Sequence, residues 1–266
     1  MKSLQALINE QQEEVARYRI VAEDAVNQFI RTHELIIGAL LAGSVARGDA
    51  RASPFGLYID LVIVAEKRKY VNLTEVFGPN IEPYIPKHCI KFKDTGLAIE
   101  LTTRKDLLDI RTRWESEIYA RQESIVLYDK TGFLQKWKAE AFTITKEQKR
   151  DRALAYYFRS QYLVGQYRLE KWKHREAWVQ LAQIGNEAVE CYCSFLYCIN
   201  NLFIPRKDWL AYLTYGLSEK IPDHELVLEE IYTSIPTEEG VDRRSRRLTD
   251  VLSWMTSVCK MNGWIP

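Results

Sequence analysis

The apolar residues of this chain change their period partway along, and that change limits the fold more than any other feature. Up to about residue 133, short aliphatic and β-branched runs are separated by turn residues; beyond it apolar residues recur at helical spacing to the end. A chain of 266 residues, 47% hydrophobic and 27% charged, can pack one large or two ordinary domains and has the balance of a soluble globular protein. The expected fold class is α+β: a mixed sheet with helices over residues 1–135, followed by an all-α helical bundle over 136–266.

Within the first part, Leu4, Leu7, Ile8, Val15, Tyr18, Val21, Ala22, Ala25 and Phe29 fall on one helical face, which predicts a helix over 4–32. Residues 36–41 form an apolar run stopped by Gly43, and 59–64 form a second; both read as buried strands. The stretches 88–93 and 97–102 flank Asp94-Thr95-Gly96, which predicts an antiparallel hairpin, and 124–128 reads as a last strand. Helices are predicted at roughly 146–172, 175–201, 206–217, 223–234 and 241–260, punctuated by Pro205, Pro222 and Pro236.

Charge and cysteine content narrow the partners. A formal net charge of +1 points to no polyanionic partner, so nucleic acid is not expected. No apolar run approaches the ~20 residues of a membrane span. The first twenty residues alternate charged and apolar side chains, which reads as an amphipathic helix rather than a secretory signal, and the expected location is the cytoplasm. Five cysteines, an odd number without a spaced second pair, read as buried free thiols rather than a disulfide framework or a zinc site. The cluster Arg243-Arg244-Ser245-Arg246-Arg247 follows Glu238, Glu239 and Asp242 and reads as a solvated helix start. Oligomeric state is not encoded in any of these features.

The chemistry is concentrated between Leu41 and Val64. A strand runs into Gly43-Ser44 and a helical turn follows. Gly43 lets the backbone approach a ligand, and the amides after it favour an anion. Ser44 adds a hydroxyl, and Arg47 adds a planar fork of donors suited to phosphate. Asp60 lies in the next strand among Ile59, Leu61 and Val62, where a carboxylate is costly unless it is paired or holds a metal. Glu100 repeats that pattern between Ile99 and Leu101. Asp49 reads as a solvent-facing loop acid.

Gly43-Ser44-x-x-Arg47-Gly48 followed by Ile59-Asp60-Leu61 resembles the motif of the polymerase-beta-like nucleotidyltransferase superfamily, over about residues 20–135. The helical second half is similar in kind to that of antibiotic nucleotidyltransferases, such as the aminoglycoside- and lincosamide-modifying enzymes. The resemblance makes 1–135 the nucleotidyltransferase domain and 136–266 a substrate-binding domain. It implies transfer of a nucleoside monophosphate from ATP or another nucleoside triphosphate to a hydroxyl of a small-molecule acceptor. Gly43, Ser44 and Arg47 would bind the nucleotide, and Asp60 and Glu100 would be catalytic and hold Mg²⁺ or Mn²⁺. Glu100 is the first candidate for the base, with Glu187 and Glu190 as candidates from the bundle.

The family pattern has two acids, one residue apart, on the second strand. Here the first of them is Tyr58, and tyrosine is a poor ligand for Mg²⁺, which wants hard anionic oxygens. Three readings stay open: transfer with Asp60 and Glu100 alone, a nucleotide-binding or interaction module without turnover, or an altered position 58.

Overall fold

The computed structural model describes residues 11–52, 56–84, 87–234 and 237–266. The chain divides into two compact units between Thr143 and Ile144.

In the first unit, helix α1 (Gln12–Ala25) runs straight into a π-helical turn (Val26–Ile30). The start predicted at residue 4 lies outside the described residues. Val15, Tyr18, Ala22 and Ala25 are buried, the i, i+3, i+4 stripe that the sequence showed. Strand β1 (Ile36–Ala42) is buried at all seven positions. It leads into the single turn α2 (Gly43–Arg47), and strand β2 (Tyr58–Ala65) follows. After helix α3 (Leu73–Phe77) come β3 (Glu82–Tyr84), β4 (Lys87–Phe92) and β5 (Thr95–Thr103). Helices α4 (Arg104–Leu108) and α5 (Glu115–Gln122) then lead to β6 (Ile125–Asp129) and α6 (Phe133–Ala141). The six strands form one sheet in the order β3-β4-β5-β2-β1-β6. β2 and β5 run parallel, and the other neighbours antiparallel.

β3 was not foreseen. It is three residues long and contains Pro83, which is tolerated because the strand lies at the sheet edge. One sheet face carries Leu41, Leu61, Ile63, Leu97 and Ile99 and packs with Ala22, Ala25 and Ile30 into the main core. On the other face α6 covers part of the sheet. A Cβ on Gly38 would overlap Leu134, and Trp137 Nε1 donates to the Leu107 carbonyl at 2.8 Å. These contacts carry the first unit past the 135/136 boundary expected from periodicity. The same face, towards Ala42 and Tyr58, carries the polar residues described below.

The second unit is helical, with α7 (Lys146–Val164), α8 (Gln166–Lys173), α9 (Trp178–Ile199), α10 (Lys207–Leu210), α11 (His224–Thr233) and α12 (Glu238–Met261). The helix predicted at 146–172 is two helices, because Gly165 takes an extended conformation (φ −55°, ψ 130°). Thr145 caps α7 with Gln148 in a reciprocal pair at 3.1 and 3.0 Å. α9 is the central helix: Tyr192, Phe195, Leu196 and Tyr197 are completely buried. Cys191, Cys193, Cys198 and Cys259 are buried free thiols, and Cys89 is half-buried. No helix among the described residues is long and apolar enough to cross a membrane.

His224 is buried in this unit, with Nδ1 2.8 Å from the Tyr192 hydroxyl and Nε2 2.7 Å from Thr214 Oγ1. Thr214 donates to the Ala211 carbonyl at 2.5 Å, so its oxygen accepts from Nε2–H and Tyr192 donates to Nδ1. Both ring nitrogens of the neutral imidazole are satisfied. Burial first, and Lys220 second, pull its pKa from 6.5 down to about 4. The unfolded chain therefore binds the extra proton between those values. The contribution of His224 is complete above pH 6.5 and is lost as pH falls towards 4, by about 3 kcal/mol in all. Urea unfolding of the intact chain, followed by tryptophan fluorescence at pH 7 and pH 4.5, is expected to show this loss. His224→Gln is expected to show a flatter pH dependence.

Candidate functional site

The site begins where β1 ends. Gly43 has φ +67°, a left-handed conformation that an L side chain rarely adopts. Its turn is held from both ends. Gly48, at φ +92°, closes α2, with its amide and that of Asp49 both donating to the Ser44 carbonyl at 2.9 and 3.0 Å. Arg19 of α1 then donates to the Val45 and Ala46 carbonyls at 3.2 and 2.8 Å, satisfying groups that a one-turn helix leaves open. Ser44 is half-buried.

Arg47 is turned to Asp49, with Nε 3.2 Å from Oδ1 and Nη2 3.3 Å from Oδ2. The two side chains are only 14% and 2% exposed. Asp49 is thus buried and ion-paired, not the solvent-facing loop acid expected. Glu123 shares this pocket of charge. Burial pushes its carboxyl pKa up, opposed by Arg47 and Lys138. Burial in turn lowers the Lys138 pKa, and its ammonium donates to the Gln122 carbonyl at 2.9 Å and to that of Ser124.

Asp60 stands opposite Ala42 of β1 and Ala98 of β5, and Ala98 stands opposite Cys89 of β4. Paired residues share a face, so Cys89, Ala98, Asp60 and Ala42 form one row across four strands. Asp60 Oδ2 lies in the space a Cβ on Gly43 would need, and Oδ1 is ion-paired with Lys87 Nζ at the start of β4. Glu100, two residues beyond Ala98, stands opposite Val62 on the same face. Its Oε1 is ion-paired with Arg121 Nη2 of α5. Tyr58, also on this face, is 50% exposed, and its ring lies flat enough on Gly96 that a Cβ there would be 2.5 Å from both Cδ1 and Cε1. The Cys89 thiol has its pKa raised by burial, with Lys87 opposing and Asp60 and Glu82 adding to the rise.

The fold therefore brings Gly43, Tyr58, Asp60 and Glu100 to one end of one sheet face. It sets Arg47 apart, against Asp49. In the other unit, Glu187 is paired with Arg159, and Glu190 with Lys207 at 2.9 Å. Lys87, Arg121 and Cys89 were missed in the sequence. A signal existed for two of them: extending the alternation of strand 88–93 backwards puts Lys87 beside Cys89 on the face opposite Ile90 and Phe92. Arg121 had none, because nothing in its helix marks it as a partner of a residue 21 positions away. Among the described residues, no group of three or more His, Cys, Asp or Glu side chains gathers as a metal cluster.

The sequence matches no family model and no curated protein. Among solved structures, the chain is similar to a nucleotidyltransferase-like protein from Exiguobacterium sibiricum. The two are 10% identical, with 91% of this chain and 78% of that chain covered and a TM-score of 0.44.

The Gly43–Asp60 approach is directly testable. Gly43→Ala forces a left-handed alanine and an overlap with the Asp60 carboxylate, and is expected to cost about 2 kcal/mol or more. In a double-mutant cycle by urea unfolding, Gly43→Ala with Asp60→Ala is expected to lose less than the sum of the single changes, because removing the carboxylate relieves the overlap. Strict additivity would contradict the shared space.

Proposed function

We propose that this chain is a nucleotide-binding protein of the nucleotidyltransferase type, in which internal cations have taken over the carboxylates that would hold a metal. The observation that carries this reading is the pairing of Asp60 with Lys87 and of Glu100 with Arg121, with Tyr58 rather than an acid seated over Gly96.

The strength of the two ion pairs is not what decides. Asp60 and Glu100 are 27% and 33% exposed, and pairs of that kind contribute at most about 1 kcal/mol each. The charge count decides. Two carboxylates and two tethered cations cancel, and Tyr58 brings no carboxylate to the face. Mg²⁺ and Mn²⁺ are drawn to convergent hard anionic oxygens, and here the two carboxylates are directed to different cations on different elements. The donor set does not fit the metal that the motif implies.

For the nucleotide, support comes from the left-handed turn at Gly43-Ser44 and from Lys87 and Arg121 on the adjoining face. An ammonium and a guanidinium can exchange carboxylate for phosphate oxygens with little change in geometry, through charge-assisted hydrogen bonds. Arg47 has no phosphate role in this reading, because it is committed to Asp49. A small-molecule acceptor has no role either.

Calorimetric titration of ATP and GTP, in EDTA and in excess Mg²⁺, tests the reading alongside a pyrophosphate assay. Saturable binding is expected in EDTA, weakened about tenfold or more in Lys87→Gln, with no pyrophosphate release. Pyrophosphate release abolished by Asp60→Asn would overturn this reading. It would restore metal-dependent transfer through Asp60 and Glu100. Failure to bind either nucleotide under both conditions would remove the nucleotide from the function altogether.

A further inference from the structure

The arginine cluster on α12 is not uniformly solvated. Arg243 reaches Glu239 at 3.7 Å, Arg246 Nε donates to the Asp242 carbonyl at 3.4 Å, and Arg247 pairs with Glu230 and, at 3.5 Å, with Asp250. Arg244 points the other way and is only 7% exposed. Its Nη1 donates to the Ala182 carbonyl at 3.1 Å and its Nη2 to Asn186 Oδ1, both on α9. Its Nε has no partner, and among the described residues no carboxylate pairs with it. Burial lowers its pKa from the ordinary value, yet a guanidinium stays protonated inside proteins. A fixed positive charge is thus buried with neutral acceptors alone, an arrangement that is costly unless a counter-charge is supplied.

The surroundings leave room for that counter-charge. At Gly185 a Cβ would lie 2.7 Å from Arg244 Nε and 2.9 Å from Cζ, so the glycine is what allows the guanidinium in. Gly185, Arg244 and Ser245 line a cavity whose other walls include Leu163, Leu181, Ile184 and Leu248, with space for about one water-sized particle. A water would find few of the two to four polar partners it needs among aliphatic walls, and it would leave the charge uncompensated.

We propose that this cavity binds one small monovalent anion, of halide size, against Arg244, with the Ser245 hydroxyl as the second donor. A guanidinium is more weakly hydrated than an ammonium, so pairing it with a halide costs less desolvation than an ammonium pair would, and the pairing offsets the buried charge. The recess has the size of about one water, so a single halide or the head of formate fits it better than a tetrahedral dianion. This site lies wholly in the helical unit and is independent of the function proposed for the first.

The test uses the full chain in a halide-free buffer, with thermal unfolding followed while chloride, bromide, formate or sulfate is added at matched ionic strength. Chloride and bromide are expected to raise Tm saturably, by roughly 3 °C at ten times the dissociation constant, and sulfate not to do so. A formate response equal to that of the halides would assign the site to small carboxylates and halides alike, which the proposal includes. Arg244→Gln is expected to lose the chloride dependence. Should that variant not fold, chloride NMR line broadening on the unaltered protein, competed by bromide and not by sulfate, gives the same answer. An equal rise with sulfate, a chloride dependence retained in Arg244→Gln, or broadening that bromide does not compete would each overturn the proposal.

Discussion

The carboxylate of Asp60 and the absent side chain of Gly43 claim the same space, and the polar end of the sheet is built around that exclusion. β1 must end in a left-handed residue for the chain to turn into α2, and antiparallel pairing puts Ala42 directly opposite Asp60. Any side chain at position 43 would displace the acid. Arg19 and Gly48 then fix the turn from behind through the Ser44, Val45 and Ala46 carbonyls. The acid, the turn and the helix that braces them are thus joined by direct contacts.

Around these contacts the charges are balanced from within the chain. Lys87 reaches Asp60 over the intervening strand β5, and Arg121 meets Glu100 from α5. Tyr58 and Gly96 are a matched pair as well, a ring resting on a residue with no side chain. A carboxylate at position 58 would leave Gly96 uncovered and the face negatively charged. With tyrosine there, the face is neutral. The left-handed turn at Gly43 thus stands beside a set of carboxylates that are already compensated.

The helical unit handles buried polarity in two contrasting ways. His224 is neutral, and Tyr192 and Thr214 satisfy both ring nitrogens, so its burial costs little until the ring is protonated. Arg244 cannot shed its charge, and two neutral acceptors on α9 satisfy its hydrogen bonds without balancing it. The difference lies in the side chains themselves, since imidazole can adapt its protonation to burial and guanidinium cannot.

Much of the architecture was legible in the sequence because periodicity is a local property. Alternating and helical spacing marked β1, β2, β4, β5 and β6 and the helical second half. The edge strand β3 and the break at Gly165 escaped, the first too short for a period and the second a single dihedral choice. Which cations meet which acids was also beyond the sequence. Lys87 and Asp60 are 27 residues apart, Arg121 and Glu100 are 21 apart, and both meetings depend on strand order and register. Arg47 shows the same divide: its type and spacing suited a phosphate, and the packing of the loop after α2 gave it to Asp49. By itself the sequence determined which residues could be charged and which strand or helix would carry most of them, because side-chain chemistry and backbone period are local. Only the tertiary structure decided how those charges cancel, because an ion pair requires two distant segments to be brought within a few ångströms.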